Sequence, residues 1–311
     1  MTIKVERLTD AGILPIEPVI VTQTNHIVEI QYMARMNEHA NIKKLDKDHY
    51  VDLRTGEIQE FKHFSNRADS FNSLRQTFKK LRYLINNNFT GAANEKFLTL
   101  TYAENMQDTQ RLYIDFKLFM KKLTYHFKDV SSVDYLSVVE PQARGAWHMH
   151  VLMRFNDIDT VFLDGDELRR LWPHGFHTVK SLRDVDNIGA YVSAYLTDIE
   201  YVDGVREEMM YSPHLKNDVW RNDCAIEIEE KNGKKYVKGG RLHFYPPGIN
   251  LYRKSKGIKE PERQRMKYDK IKGVVGSHQP HYTTALRISD SDTEFANTII
   301  YEQYNLKRRD C

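Results

Sequence analysis

GAWHMHVLMRF, residues 145–155, places two histidines one residue apart in a run that is otherwise apolar up to Arg154. If the run is a strand, successive side chains face opposite sides, so Trp147, Met149, Val151, Met153 and Phe155 share one face. Five large apolar groups mark that face as core. His148 and His150 share the other face with Leu152 and Arg154, their imidazoles side by side and directed away from the core. Such histidines are either solvent-exposed or ligands. With 13 His in 311 residues, a His-x-His arises in roughly half of shuffled sequences, so the surroundings must decide. Glu140 ends the preceding strand-like run YLSVVEP (135–141), and the short connection through Gly145 suggests an antiparallel hairpin. That hairpin would bring the Glu140 carboxylate beside the two imidazoles. Two His and one carboxylate, with coordination positions left open, make a plausible divalent-cation site.

The flanking segments alternate between strand and helix patterns. KFLTLTY (96–102) reads as a strand with Leu98, Leu100 and Tyr102 on one face and Phe97, Thr99 and Thr101 on the other. Before it, Asp69 is placed to cap a helix whose Phe71, Leu74, Phe78, Leu81 and Ile85 fall at helical spacing, closed by Asn86-Asn87-Asn88 and Gly91. After it, Asp108 to Phe127 carries the stripe Leu112, Phe116, Phe119, Leu123, Phe127. Beyond Phe155 come a short helix (Asp166 to Trp172), a strand (Phe176 to Lys180) and a helix from Asn187 to Ile199. This order predicts an α+β fold, an antiparallel β-sheet with helices packed on one face. Residues 1–68 read as irregular. From Val202 the chain is more charged, with a hairpin expected at Lys231-Asn232-Gly233-Lys234 and a strand at Arg241 to Tyr245 ended by Pro246-Pro247-Gly248. The expected division is an N-terminal region 1–90, DNA-binding or packed on its neighbour, a central domain 91–201 and a basic C-terminal region 202–311.

A chain of 311 residues with 41% hydrophobic content can bury a substantial core. No stretch approaches the roughly 18 apolar residues of a membrane span, and the N-terminal MTIKVERLTDAG lacks the apolar centre of a secretory signal. A cytoplasmic protein without membrane partners is expected. Two cysteines, Cys224 and Cys311, are too few for a disulfide framework or a thiolate zinc cage, so a metal here would use His and carboxylates. The net charge of +3 conceals bunched cations: Lys79, Lys80 and Arg82; Lys121 and Lys122; Arg253, Lys254 and Lys256; Arg263, Arg265 and Lys267; Lys307, Arg308 and Arg309. One such run is usually a solvated helix face, whereas several together suit a phosphate backbone.

A second constellation is GAYVSAYLTD (189–198). At 3.6 residues per turn Tyr191, Tyr195 and Asp198 lie on one side, while Ile188, Val192, Leu196 and Ile199 form a separate stripe towards the sheet. Tyrosines at i and i+4 are usually packing residues; a His-x-His strand nearby reverses that weighting.

FLTLT (97–101), EPQARGAWHMH (140–150) and YVSAYLTD (191–198), in this order and spacing, resemble the HUH endonucleases, and among them the rolling-circle replication initiator (Rep) proteins of bacterial plasmids. The likeness spans about 100 residues. It implies an HUH nuclease fold for residues 91–201 and a site-specific DNA endonuclease and strand transferase of the nicking-closing kind. It further implies Mn²⁺ or Mg²⁺ held by His148, His150 and Glu140, and Tyr191 first with Tyr195 second as nucleophiles. Asp198 would approach the metal or orient a tyrosine hydroxyl, and Thr99 and Thr101 are candidates to support the site. The implied substrate is single-stranded or supercoiled origin DNA, contacted through its backbone by Arg144 and Arg154, with Trp147 or Phe97 as candidate base-stacking groups and a host helicase as partner. Many relatives carry a lysine three residues after each tyrosine, where this chain has Ala194 and Asp198. Two alternatives remain at this level: a transposase or relaxase with the same chemistry, and a metal-stabilised nucleic-acid binder using His148 and His150 with His174 and His177, in which the tyrosines only pack.

Overall fold

The computed structural model describes residues 3–36, 41–61, 71–142, 145–200, 228–231, 234–237, 241, 245, 249–290 and 295–308. The Asp69 cap, Arg144, both cysteines, the Asn232-Gly233 turn and most of the Arg241 to Pro247 stretch lie outside them. The chain forms two compact units, divided differently from the sequence expectation. One joins Met1–Ser65 to Pro261–Cys311; the other is Asn66–Glu260.

The first unit shows that residues 1–68 are not irregular. It contains β1 (Ile3–Arg7), β2 (Pro18–Thr24), β3 (Ile27–Met33), β4 (Ile42–Lys44), β5 (His49–Asp52) and β6 (Ile58–Glu60). β4, β5 and β6 make a small three-stranded sheet. Asn25, at φ 50°, turns β2 into β3, a conformation that asparagine tolerates better than most residues. The sheet of β1, β2 and β3 gains three more strands near the end of the chain, and the division at residue 202 fails because those strands pair with the N-terminal ones.

The second unit opens with α1 (Phe71–Asn88), followed by β7 (Glu95–Leu100), α2 (Thr109–His126), β8 (Val133–Pro141), β9 (Trp147–Phe155), α3 (Gly165–Leu171), β10 (His177–Lys180) and α4 (Ile188–Thr197). β11 (Ile199–Glu200), β12 (Ile228–Lys231) and β13 (Lys234–Val237) form a small sheet, in which Lys231 pairs with Lys234 as the expected hairpin requires. β14 (Tyr252–Lys254) joins the main sheet, whose antiparallel order is β10-β7-β9-β8-β14. The α+β class is therefore as the sequence predicts.

In the first unit, β15 (Arg263–Lys267), β16 (Tyr282–Asp290) and β17 (Ala296–Asn305) complete the order β1-β16-β17-β3-β2-β15. Between β15 and β16, α5 (Tyr268–Val275) buries Ile271 and Val275 in a core with Val19, Val21, Val28, Ile30, Ile300 and Tyr304.

In the second unit the helices cover both faces of the sheet rather than one. Tyr135 stands opposite Met153 and meets Phe116 of α2 edge to face at 5.5 Å, so α2 lies on the Trp147–Met153 face. Asp108 caps α2 by accepting from the amides of Gln110 and Arg111, and Leu112, Phe116, Phe119 and Leu123 are buried as the stripe predicts. Phe97 stands opposite Leu152, on the histidine side, and meets Tyr191 of α4 edge to face at 6.3 Å. This face is also apolar, with Phe97, Leu136, Val138 and Leu152 all buried. Burial on both faces gives β9 a nearly continuous hydrophobic run rather than a clean alternation.

A polar clasp fixes α4 against α1. The Asn187 side chain caps α4 by accepting from the Ala190 amide, and it also accepts from the Asn86 side chain at 3.1 Å. Asn86 in turn accepts from the Gly189 amide at 2.7 Å. Only glycine fits here: a Cβ on residue 189 would lie 2.6 Å from the Arg82 carbonyl oxygen. We expect Gly189→Ala to lower stability by about 1–3 kcal/mol through overpacking. Gly165→Ala, where a Cβ meets nothing within 4 Å, should be close to neutral. Equal urea midpoints for the two variants would contradict the clasp.

Candidate active site

Hairpin register builds the site. Glu140 stands directly opposite His148, Val138 opposite His150, and Thr99 of β7 opposite His150 from the other side. His150 is fully buried; its Nε2 is hydrogen-bonded to Glu140 Oε2 and its Nδ1 lies 3.0 Å from the Thr99 hydroxyl. Phe97 stacks on the His150 ring, 5.5 Å between centroids and 12° from parallel. His148 lies nearer the surface, with Nδ1 3.9 Å from the same Glu140 oxygen. One carboxylate oxygen thus faces both rings.

The other oxygen of Glu140 is held by a residue that no sequence motif indicated. Arg241 donates to Glu140 Oε1 at 2.7 Å. Burial pushes the Glu140 carboxyl up, but the hydrogen bond from His150 and the charges of His150, Arg241 and His148 outweigh it and hold the carboxyl below the ordinary glutamate range. Glu140 is therefore an anion at neutral pH.

The donor set of two imidazoles and one carboxylate fits Mn²⁺ or Mg²⁺, imidazole favouring Mn²⁺. The Thr99 contact on the far nitrogen of His150 is the kind of outer hydrogen bond that orients a ligating ring. Among the described residues, no group of three His, Cys, Asp or Glu is arranged as a metal cage; Glu140 instead closes on His150 and Arg241.

Tyr191 lies on α4, partly exposed, with its ring against Phe97 and so one aromatic layer from His150. Tyr195 follows one turn later on the same helix. Asp198 is the C-cap residue; its carboxylate accepts from the Thr197 hydroxyl at 2.9 Å and its carbonyl oxygen accepts from Arg241 Nε at 3.2 Å. Thr101 donates to the Phe176 carbonyl at 2.9 Å, closing the end of β7 against the chain before β10.

Trp147 and Phe97 are both buried, Trp147 donating its indole N–H to the Gln107 carbonyl, so neither presents a face to a base. His174 and His177 do not join the other two histidines. His174 packs against Trp172 and Tyr102, and His177 pairs opposite Leu100, both on the face turned away from His148. The four-histidine cluster of the binder alternative is not assembled.

Arg154 is tied into the protein's own network. Its guanidinium donates to the Asn88 carbonyl, the Asn156 side chain and Asp134. Asp134 also accepts from Ser255 and Asn156. Burial pushes the Asp134 carboxyl up, but these hydrogen bonds and the Arg154 charge hold it below its ordinary value. A carboxyl depressed in the folded state adds stability above its unfolded pKa of about 4 and loses it as pH falls through the folded value. The urea-midpoint advantage of the native chain over Asp134→Asn should therefore be constant from about pH 7 to 5 and shrink below about pH 4. A gap unchanged down to about pH 2 would contradict this.

Residues 95–200, the span from β7 to β11 that holds all three motifs, match the family model of the replication-associated protein ORF2. The match supports a replication initiator Rep protein. No curated protein and no solved structure matches the chain. No helix among the described residues is long and apolar enough to cross a membrane.

Proposed function

We propose that the protein is a rolling-circle replication initiator that nicks and rejoins single-stranded origin DNA by tyrosine transesterification. The observation that carries this reading is the aromatic line from α4 to the histidine strand: Tyr191 on Phe97, Phe97 on His150, and His150 on Glu140. It places a nucleophile-bearing helix beside an acidic and imidazole donor set. The family match over the same residues supports the replication context.

In this reading the Tyr191 phenol oxygen attacks the scissile phosphorus, losing its proton as the new phosphoester bond forms. The bond from phosphorus to the 3′ oxygen breaks in line, leaving a 5′-phosphotyrosine and a free 3′-hydroxyl. Mn²⁺ or Mg²⁺ held by His148, His150 and Glu140 would supply charge neutralisation at the non-bridging oxygens and alignment of the phosphate. Because the phosphotyrosine keeps the phosphoester bond, a later 3′-hydroxyl can reverse the step. Tyr195, one turn along α4, would permit a second transfer. Arg144 is the backbone contact of this reading; Arg154 would have to exchange its internal partners to serve.

The test is incubation of the full chain with labelled single-stranded or supercoiled origin-like DNA and Mn²⁺, followed by denaturing electrophoresis and peptide mapping. A DNA–peptide adduct on Tyr191 or Tyr195 that requires the metal is the expected result. Nicking without an adduct would mean a hydrolytic nuclease and would overturn the tyrosine mechanism.

A further inference from the structure

The residue against Glu140 comes from outside the family-matched span, and it is not at the surface. Arg241 contacts three groups at once: the Glu140 carboxylate at 2.7 Å, the Asp198 carbonyl at 3.2 Å and the Pro141 carbonyl at 3.4 Å. Its side chain is 16% exposed and that of Glu140 3%. Four residues on, the buried Tyr245 has its hydroxyl within reach of the Val139 and Leu196 carbonyls, at 3.1 and 3.3 Å. Both side chains therefore bridge the end of β8 to the end of α4, the two elements that bear the acidic ligand and the tyrosines. Tyr245 does so with a neutral phenol. Arg241 does so with a full positive charge placed on a candidate metal ligand.

We propose that Arg241 is a positioning residue that acts as an internal cation: it holds Glu140 until a divalent ion takes the carboxylate, and its charge keeps the affinity of the site for free ion low. The inference rests on reading His148, His150 and Glu140 as ligands. Glu140 divides its oxygens, one to His150 and one to Arg241, so an ion reaching the carboxylate meets a like charge one carboxylate away. In so sheltered a place water screens that repulsion poorly. When the ion arrives, the guanidinium loses part of its hold on Glu140 and becomes available to an anion, and the phosphodiester is the anion that this site would receive.

The test is Mn²⁺ binding to the full, DNA-free chain, monitored through the electron paramagnetic resonance of free Mn²⁺. Arg241→Met should bind Mn²⁺ at least about 10-fold more tightly than the native chain, because a neighbouring like charge is gone. Arg241→Lys keeps the charge and should stay within about threefold. Native-like or weaker binding in a folded Arg241→Met would overturn the proposal, as would equal tightening in the lysine variant. Should the methionine variant not fold, Arg241→Gln, which retains a donor for the same carbonyls, carries the same expectation. His148→Ala separates this result from the reading beneath it. Loss of Mn²⁺ binding there shows that the titrated ion sits at the histidines, whereas unchanged binding would sink the ligand assignment itself, whatever Arg241 does.

Discussion

Replacing Tyr191 and Tyr195 together by phenylalanine is expected to lower nicking of origin-like DNA at least about a thousandfold, since the nucleophile itself is removed. Stability should hardly change. Tyr191 is 36% exposed and meets Phe97 through its ring, which phenylalanine keeps. DNA binding, measured by fluorescence anisotropy, should be retained, which separates lost chemistry from lost recognition. The single variants assign the order of attack. If Tyr191 leads, Tyr191→Phe abolishes the covalent adduct, while Tyr195→Phe leaves the first adduct and blocks only a second transfer. A double variant that still forms an adduct would move the nucleophile elsewhere and end the proposed mechanism.

The second large effect is expected at Glu140. Glu140→Ala removes the anion from a buried pair and leaves the Arg241 guanidinium without its counter-charge, at a cost of about 3–5 kcal/mol. Arg241→Met on the same background should restore part of that loss, because the orphaned cation goes too. Urea unfolding of the two single variants and the double variant measures the coupling. Additive losses would mean that the pair contributes nothing beyond its separate packing. In both chains lacking Glu140, Mn²⁺ binding should be lost, since the carboxylate is the proposed anionic ligand.

Much of the candidate site was legible because local rules produce it. The period of two in WHMHVLMRF and the short turn before it place Glu140 across from His148, and the period of 3.6 in IGAYVSAYLT sets Tyr191 apart from the buried Ile188, Val192 and Leu196. What alternation could not reveal was that the histidine face is itself covered. Leu152 sits on that face, but the apolar residues that complete it, Phe97, Leu136 and Val138, come from neighbouring strands, so only the assembled sheet shows that His150 is enclosed. Arg241 was illegible for a different reason. It belongs to no motif, and its partners lie far back in the chain on β8 and α4.

The N-terminal sheet was missed although a cue was present. Thr24-Asn25-His26-Ile27 joins two β-branched runs through a residue suited to the left-handed region, a recognisable hairpin signal. The strands flanking that hairpin were harder to infer, because β15 and β17 are supplied from the other end of the chain.

That sheet also dictates an order of events during synthesis. β2 and β3 leave the ribosome early, yet the strands that cover their outer edges, β15 and β17, are made only after the whole of Asn66–Glu260. The site-bearing unit is thus translated in full while the first unit is still missing half its sheet, and each nascent chain carries an open hairpin through most of its elongation. Unpaired edges of this kind are where neighbouring chains on a polysome adhere. A chain that terminated before Pro261 would keep every residue of the proposed catalytic site and still carry that unfinished edge.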